Sequence, residues 1–133
     1  MKDLKSKIKF LEAAAPAVAA ADIEGEDIDL KGFGSCVFGA VIGAGAYAAT
    51  KKVAPVLEES DDADTYTAVD AAHYDGDLTA VAATIAANEY RLIQYKGYKR
   101  YVRLSFDVTG TLDADVLLGA WVILGNPQLA PTA

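Results

Sequence analysis

The chain has 133 residues, the size of one ordinary domain, with 12 Lys and Arg against 19 Asp and Glu and a net charge of −7. Hydrophobic residues make up 53% of it, which excludes an intrinsically disordered protein. One Cys excludes an intrachain disulfide and, with one His, argues against a Cys/His zinc site. The acidic balance argues against general nucleic-acid binding.

We divide the chain into an N-terminal arm, residues 1–16, and one β-sandwich domain, residues 17–133. The arm is rich in lysine and then in alanine. Glu12 and Pro16 interrupt its apolar part, so we expect a mature intracellular start and not a signal peptide. Residues 2–12 are expected to form a short helix or an extended arm, and residues 17–23 a short strand.

The first long apolar segment, residues 33–49, carries no charge and lies between Lys31 and Lys51. It is shorter than the about 20 residues of a membrane helix, and its glycines weaken it further. We therefore favour a buried strand whose small residues let another backbone approach closely, with a membrane span as the weaker alternative.

Two further strands are predicted over residues 53–59 and 66–69, and the carboxylate-rich residues 60–64 form a turn between them. A calcium site in this turn is a weaker alternative, because hard cations bind several oxygens but the EF-hand pattern is missing. Residues 78–87 fit either a helix capped by Asp77 or a loop.

The clearest strand signal is residues 98–109, where Val102, Leu104 and Phe106 fall on one face and polar residues fall on the other. Alternation of this length predicts a half-buried strand. Residues 90–95 are predicted as another strand. We expect Lys96-Gly97 to join the two in a hairpin.

Residues 114–125 are apolar on both faces of the predicted strand. Such a strand has to be covered on both sides. In so small a domain, we expect the core to cover one face and a neighbouring subunit to cover the other. This makes Leu117, Trp121 and Ile123 candidate interface residues.

Basic charge is concentrated in the predicted hairpin, where Arg91, Lys99 and Arg103 lie among tyrosines that include Tyr101. Tyr and Arg are enriched at protein interfaces, so we favour an interface held by the acidic turns of a neighbouring copy. A single-stranded nucleic-acid-binding module is the alternative from another class. The complete set of predicted interface residues is Arg91, Lys99, Tyr101, Arg103, Leu117, Trp121 and Ile123.

No pattern in the sequence predicts catalysis. A nucleophile needs a positioned base, but Cys36 lies in the apolar segment, where a free Cys usually packs as a small hydrophobe, and His73 lies in a polar turn. The carboxylates lie in runs on turns and not as an isolated pair. We therefore expect no enzyme, no cofactor and no metal, and a hydrolase is the weakest alternative.

The predicted elements are almost all strands, six to eight of them. This number of strands is typical of the all-β class. We expect a single β-sandwich or jelly-roll-like domain with a short N-terminal helix or extended arm.

Several segments carry a resemblance to a known family, most specifically LEESDDADTYTAV, GYKRYVRLSFDVTGT and LGNPQLAP. Over nearly its whole length the chain resembles a group of small head proteins of tailed-phage virions, with relatives in gene transfer agents. The resemblance implies a non-enzymatic protein on the capsid exterior, a decoration (cement) protein or head-spike base, made in the host cytoplasm. Asp62-Ala63-Asp64 replaces the usual Asp-Gly turn of this group, which puts the shape of that loop in doubt.

The resemblance also implies the partners of the chain. These are copies of itself in a homo-oligomeric ring, such as a trimer or pentamer, the major capsid protein, and a spike or fibre protein. Neither a membrane nor a nucleic acid is expected as a partner. A head-completion, neck or tail structural protein of the same particle is the alternative within this class.

Overall fold

The computed structural model describes residues 5–18, 21–112 and 116–127. In these residues two short 3-10 turns, Lys5–Lys7 and Ala71–His73, accompany nine strands. The strands are β1 (Ile8–Val18), β2 (Ile28–Asp29), β3 (Phe33–Ile42), β4 (Lys52–Ser60), β5 (Thr67–Ala68), β6 (Tyr74–Asp75), β7 (Glu89–Tyr95), β8 (Tyr101–Thr109) and β9 (Leu117–Pro127).

The strands form two antiparallel sheets. The five-stranded sheet has the order β1-β9-β3-β7-β6, and the four-stranded sheet has the order β2-β8-β4-β5. This confirms the predicted all-β class. Three of the nine strands have only two residues each, and two of these, β2 and β6, were not predicted from the sequence.

The core lies between the two sheets and follows the alternation of β8. Val102, Leu104 and Phe106 are at most 1% exposed, whereas the side chains between them are exposed or half-buried. From the other sheet, Phe38 and Ile42 of β3 are fully buried. Full burial of side chains of this size contributes about 1.5–3 kcal/mol each. The space between the sheets is therefore the main source of stability.

The predicted hairpin between β7 and β8 is wrong, because the two strands lie in different sheets. β7 pairs with β3 and β6, whereas β8 pairs with β2 and β4. Residues 96–100 cross from one sheet to the other. A two-residue hairpin turn with Gly needs positive φ, which Gly97 lacks. A Cβ at Gly97 would instead meet the ring of Tyr95, so this glycine lets the crossing segment lie against that ring.

The uncharged segment 33–49 forms a buried strand only in its first part, since β3 ends at Ile42. The expected close backbone approach occurs at Gly43, whose N–H donates to the carbonyl of Leu117 at 2.7 Å. At Gly39 the close neighbour is a side chain, the indole of Trp121. No helix in the described part of the chain is long and apolar enough to cross a membrane.

The N-terminal segment is extended from Ile8 onward, as β1, and not helical. β1 pairs with β9 and forms one edge of the five-stranded sheet. Residues 2–4 of the predicted helix and residues 19–20 of the predicted strand over 17–23 lie outside the described residues. After Val18, Ile23 makes an isolated bridge with Phe106 of β8.

The edges of both sheets are short or covered. Three of the four edge strands, β2, β5 and β6, have two residues each. The fourth, β1, is bulged between Glu12 and Ala14 and again between Ala14 and Ala17. The carbonyl of Ala13 also accepts a hydrogen bond of 2.7 Å from the N–H of Glu26. Short and bulged edges resist pairing with strands of other molecules.

One buried hydrogen bond joins the two sheets directly. The hydroxyl of Tyr95, on β7, donates to the Oε1 atom of Glu59, on β4, at 2.8 Å. The same hydroxyl accepts a hydrogen bond of 3.0 Å from the backbone N–H of Lys99. Burial is the main cause that raises the pKa of Tyr95, so the hydroxyl keeps its proton and remains a donor.

We expect Tyr95→Phe to lower the free energy of unfolding by about 1–3 kcal/mol, because it leaves Glu59 and the Lys99 N–H without this partner. Urea denaturation at neutral pH measures the change. Tyr90→Phe is the matched control, since Tyr90 is 68% exposed and its loss of a hydroxyl should change little. Equal stability of the two variants would contradict the assigned role.

Candidate functional site

The candidate site is the outer face of the five-stranded sheet, which points away from the core. Leu117, Trp121 and Ile123 of β9 point outward, as predicted. The strand register places Phe10 of β1 opposite Ile123, and Gly39 of β3 opposite Trp121. Large apolar side chains from four strands share this face, which we call the apolar sheet face: Phe10, Val18, Val37, Val41, Tyr90, Leu92, Leu117, Trp121 and Ile123.

Much of this apolar surface is open to solvent. Tyr90 and Leu92 are each 68% exposed, Phe10 is 63% exposed, Leu117 53% and Val18 50%. Apart from these five, Tyr98 is the one strongly exposed large hydrophobic residue in the described ranges. Contiguous exposed apolar patches mark interaction sites more often than isolated residues do.

Trp121 is the best-positioned large side chain of the apolar sheet face. A Cβ at Gly39 would collide with its indole, so the ring lies directly over the backbone of β3. Because Gly39 has no side chain, the indole of the only tryptophan in the chain has room to pack against the backbone there. A half-buried, fixed indole is the type of residue that anchors protein interfaces.

We expect Gly39→Ala to displace the indole and to lower the free energy of unfolding by about 1–3 kcal/mol, because the new methyl group has no room. The emission of Trp121 should shift to longer wavelength as the ring moves into water. Gly125→Ala is the control, since a Cβ there has no contact closer than 3.8 Å. Unchanged emission and stability in Gly39→Ala would contradict this packing.

A groove of about 500 Å³ runs along the apolar sheet face beside Trp121. Phe10, Pro16 and Leu117 are among its lining residues, and Glu12 is the one charged residue in that lining. Two of the lining residues, Glu12 and Pro16, lie at the bulges of β1. The arrangement fits a largely apolar partner surface.

The structure does not bring the predicted basic residues together on one surface. Arg91 is buried, whereas Arg103 lies on the outer side of the four-stranded sheet and Lys99 in the crossing segment. Tyr101 is half-buried beneath the guanidinium of Arg100, 5.0 Å from its ring centre. This scatter follows from the placement of β7 and β8 in different sheets. The interface role of these four residues stays a prediction.

The acidic partners of these cations belong to the same chain. Arg103 contacts Glu24 at 2.5 Å and Glu58 at 3.0 Å, and its guanidinium lies 3.9 Å from the ring centre of Tyr66. Lys99 contacts Asp61 at 2.7 Å. Acidic turns that we expected a neighbouring copy to supply are thus found within one molecule.

Arg91 fixes the loop that precedes β7. Residues 78–87 form a loop and not a helix, with isolated bridges to β4 and to residue 45. The Nη1 atom of Arg91 donates to the carbonyls of Asp77 and Thr79, and Nη2 lies 3.5 Å from Glu89. Through these contacts, Arg91 has a structural role, which is to hold this loop in place.

The acidic turn is ordered by its own hydrogen bonds. Backbone N–H groups of Thr65 and Asp64 and the hydroxyl of Ser60 donate to Oδ1 of Asp62. Ala63 follows with a φ of 62°, a left-handed conformation that an L-residue rarely adopts. In the described ranges, no group of three or more His, Cys, Asp or Glu could hold a metal ion.

The one thiol is poorly suited to act as a nucleophile. Burial raises the pKa of Cys36 to about 12, so the thiol stays protonated at neutral pH. His73 instead lies against Tyr98, with ring centres 5.8 Å apart. Neither residue belongs to the apolar sheet face.

We expect the free energy of unfolding to fall as the pH drops from about 4 to about 2. Hydrogen bonds from Arg100 lower the pKa of Asp29 to about 2, and those from the Thr65 and Asp64 N–H groups lower that of Asp62 to about 2. A lowered folded-state pKa stabilises the fold above the ordinary value and loses this effect below the lowered value. Urea titrations at stepped pH measure it. Asp29→Asn and Asp62→Asn should each flatten the decline, and slopes equal to that of the unmodified chain would contradict the assignment.

The residues that sequence reasoning missed on the apolar sheet face are those outside β9. Tyr90 and Leu92 alternate with the buried Arg91 and Ile93, so β7 is also apolar on its outward side. The apolar outward side of β7 could have been recognised from the sequence, as that of residues 114–125 was. Phe10 could not be placed, because the strand character of the N-terminal segment was not predicted.

Comparison with known proteins adds little to this description. No family model and no curated protein matches the chain. Among solved structures, the crystal structure of SPBc2 prophage-derived protein YomS is similar, with 15% sequence identity and a TM-score of 0.47. The similarity covers 88% of this chain and 91% of that one. At this identity and TM-score, the likeness supports no conclusion about what this chain does.

Proposed function

We propose that this chain is a non-enzymatic structural protein of a tailed-phage virion head. In this proposal it decorates or stabilises the capsid exterior, as a cement protein or vertex spike base. Copies associate through the apolar sheet face. The proposal is supported by the resemblance of the sequence to small virion head proteins and by the exposed apolar side chains of four neighbouring strands.

The size of the apolar sheet face is the observation that carries the proposal. Strands β1, β9, β3 and β7 span about 14 Å at about 4.8 Å per strand, and six residues of β9 span about 20 Å. The patch therefore covers roughly 300 Å² in projection. A stable interface buries about 800 Å² per partner, with an apolar centre and a polar rim. A patch of this size falls in the range of the largest apolar patch on a typical monomer, which is often a functional surface.

The other outer surface of the sandwich has a different character. On the four-stranded sheet, Arg103 pairs with Glu58 and Glu24 across neighbouring segments. Arg103 therefore has its carboxylate partners within the same chain. We therefore place the contact between copies on the five-stranded sheet, and we leave the ion-paired sheet facing solvent.

We expect the chain to have a native mass above that of one copy, and Leu92→Glu to reduce it to one copy. Leu92 is 68% exposed, so the variant should fold, but an unpaired carboxylate in a dry interface is costly. Analytical ultracentrifugation measures the mass, and binding to emptied heads measures occupancy, which should fall with it.

Thr67→Glu is the matched control, because it adds the same charge to an exposed position of the four-stranded sheet. It should leave the native mass and the occupancy unchanged. A single-copy mass for the unmodified chain at all concentrations, or equal behaviour of the two variants, would refute the proposed contact. Recovery of the chain only from tails would favour the neck or tail alternative.

A further inference from the structure

A second surface feature lies at one end of the sandwich, where β7 ends and β3 and β8 begin. Residues 30–36 and residues 95–100 line a groove of about 620 Å³. Four cationic side chains belong to this lining, and we call the feature the cationic groove: Lys31, Lys96, Lys99 and Arg100. None of them belongs to the apolar sheet face.

Hydrogen bonds fix the two walls of the cationic groove. The N–H of Leu30 donates to the carbonyl of Arg100 at 2.8 Å, which ties one wall to the other. The N–H of Lys99 donates to the hydroxyl of Tyr95, which is itself held by Glu59 inside the sandwich. A groove that is already formed costs a ligand less ordering entropy.

Two of the four cations form salt bridges and two do not. Arg100 donates to both carboxylate oxygens of Asp29 at 2.9 Å, and Lys99 lies 2.7 Å from Asp61. Lys31 and Lys96 are exposed, and neither forms a salt bridge with an acidic residue in the part of the chain that the structure describes. This leaves a local positive excess on a chain of net charge −7, which attracts anionic partners.

We propose that the cationic groove binds an acidic peptide segment of a protein partner, with carboxylates of that segment on Lys31 and Lys96. The inference rests on the proposed function, which supplies protein partners in the virion shell, and it names the chemistry of that contact. Leu30 and Phe33 also line the groove and provide apolar contact for the aliphatic parts of the bound segment. The paired cations Lys99 and Arg100 hold the rim in shape.

A single-stranded nucleic acid fits the cationic groove less well. Such sites stack successive bases on several aromatic side chains, whereas Tyr98 is the one strongly exposed aromatic residue in this lining.

The test is a binding titration of the full chain with a labelled ten-residue polyglutamate peptide, followed by fluorescence anisotropy at low salt. A labelled ten-nucleotide oligothymidine is titrated in parallel. The test variant is Lys31→Gln combined with Lys96→Gln, both at exposed positions. The control variant is Lys5→Gln combined with Lys9→Gln, which changes the net charge equally at exposed positions elsewhere.

We expect saturable binding of polyglutamate that weakens with added salt and that the test variant lowers about tenfold, while the control variant leaves it unchanged. No binding of the peptide, equal losses in both variants, or tighter binding of oligothymidine than of polyglutamate would overturn the proposal. The native mass of the test variant is measured as well. It should equal that of the unmodified chain, so that failure of the cationic groove and failure of the apolar contact are separate results.

Discussion

Strand β9 is apolar on both of its faces, and the four-stranded sheet covers only one of them. Val122 and Leu124 reach into the core and are fully buried, whereas Leu117 on the opposite face is 53% exposed. β9 lies between β1 and β3, and these two strands also place apolar side chains on the uncovered outer face. The two sheets fold around one interior, and a second apolar surface remains that one copy of the chain does not bury.

The charged residues differ from this apolar surface, because the arginines have acidic partners within the same chain. Arg103, Arg91 and Arg100 each contact acidic groups of the same molecule. Surface ion pairs contribute little to stability, but these pairs give the three arginines acidic partners within the chain. In the described residues, the apolar sheet face leaves large apolar side chains uncovered, and the cationic groove contains two lysines that form no salt bridge.

The sequence predicted which segments form strands better than it predicted which strands pair with each other. Alternation placed Val102, Leu104 and Phe106 on one face, which the core confirms, since period two is a local property of the chain. The predicted pairing of β7 with β8 was wrong. Alternation shows which side chains of a strand point into the core, but it does not show whether two strands lie in one sheet or face each other across the core. The two-sided apolar pattern located Leu117 and Trp121 on an outward face, but nothing local showed that Arg91 turns inward to hold a loop.

The brevity of the sheet edges limits one way in which molecules of this chain could associate. Edge strands of two residues and a bulged β1 offer too few consecutive backbone donors and acceptors for an added strand. Short and bulged edges therefore reduce the addition of strands from other molecules. In the proposed assembly, copies therefore meet through side chains of the apolar sheet face and not through added strands.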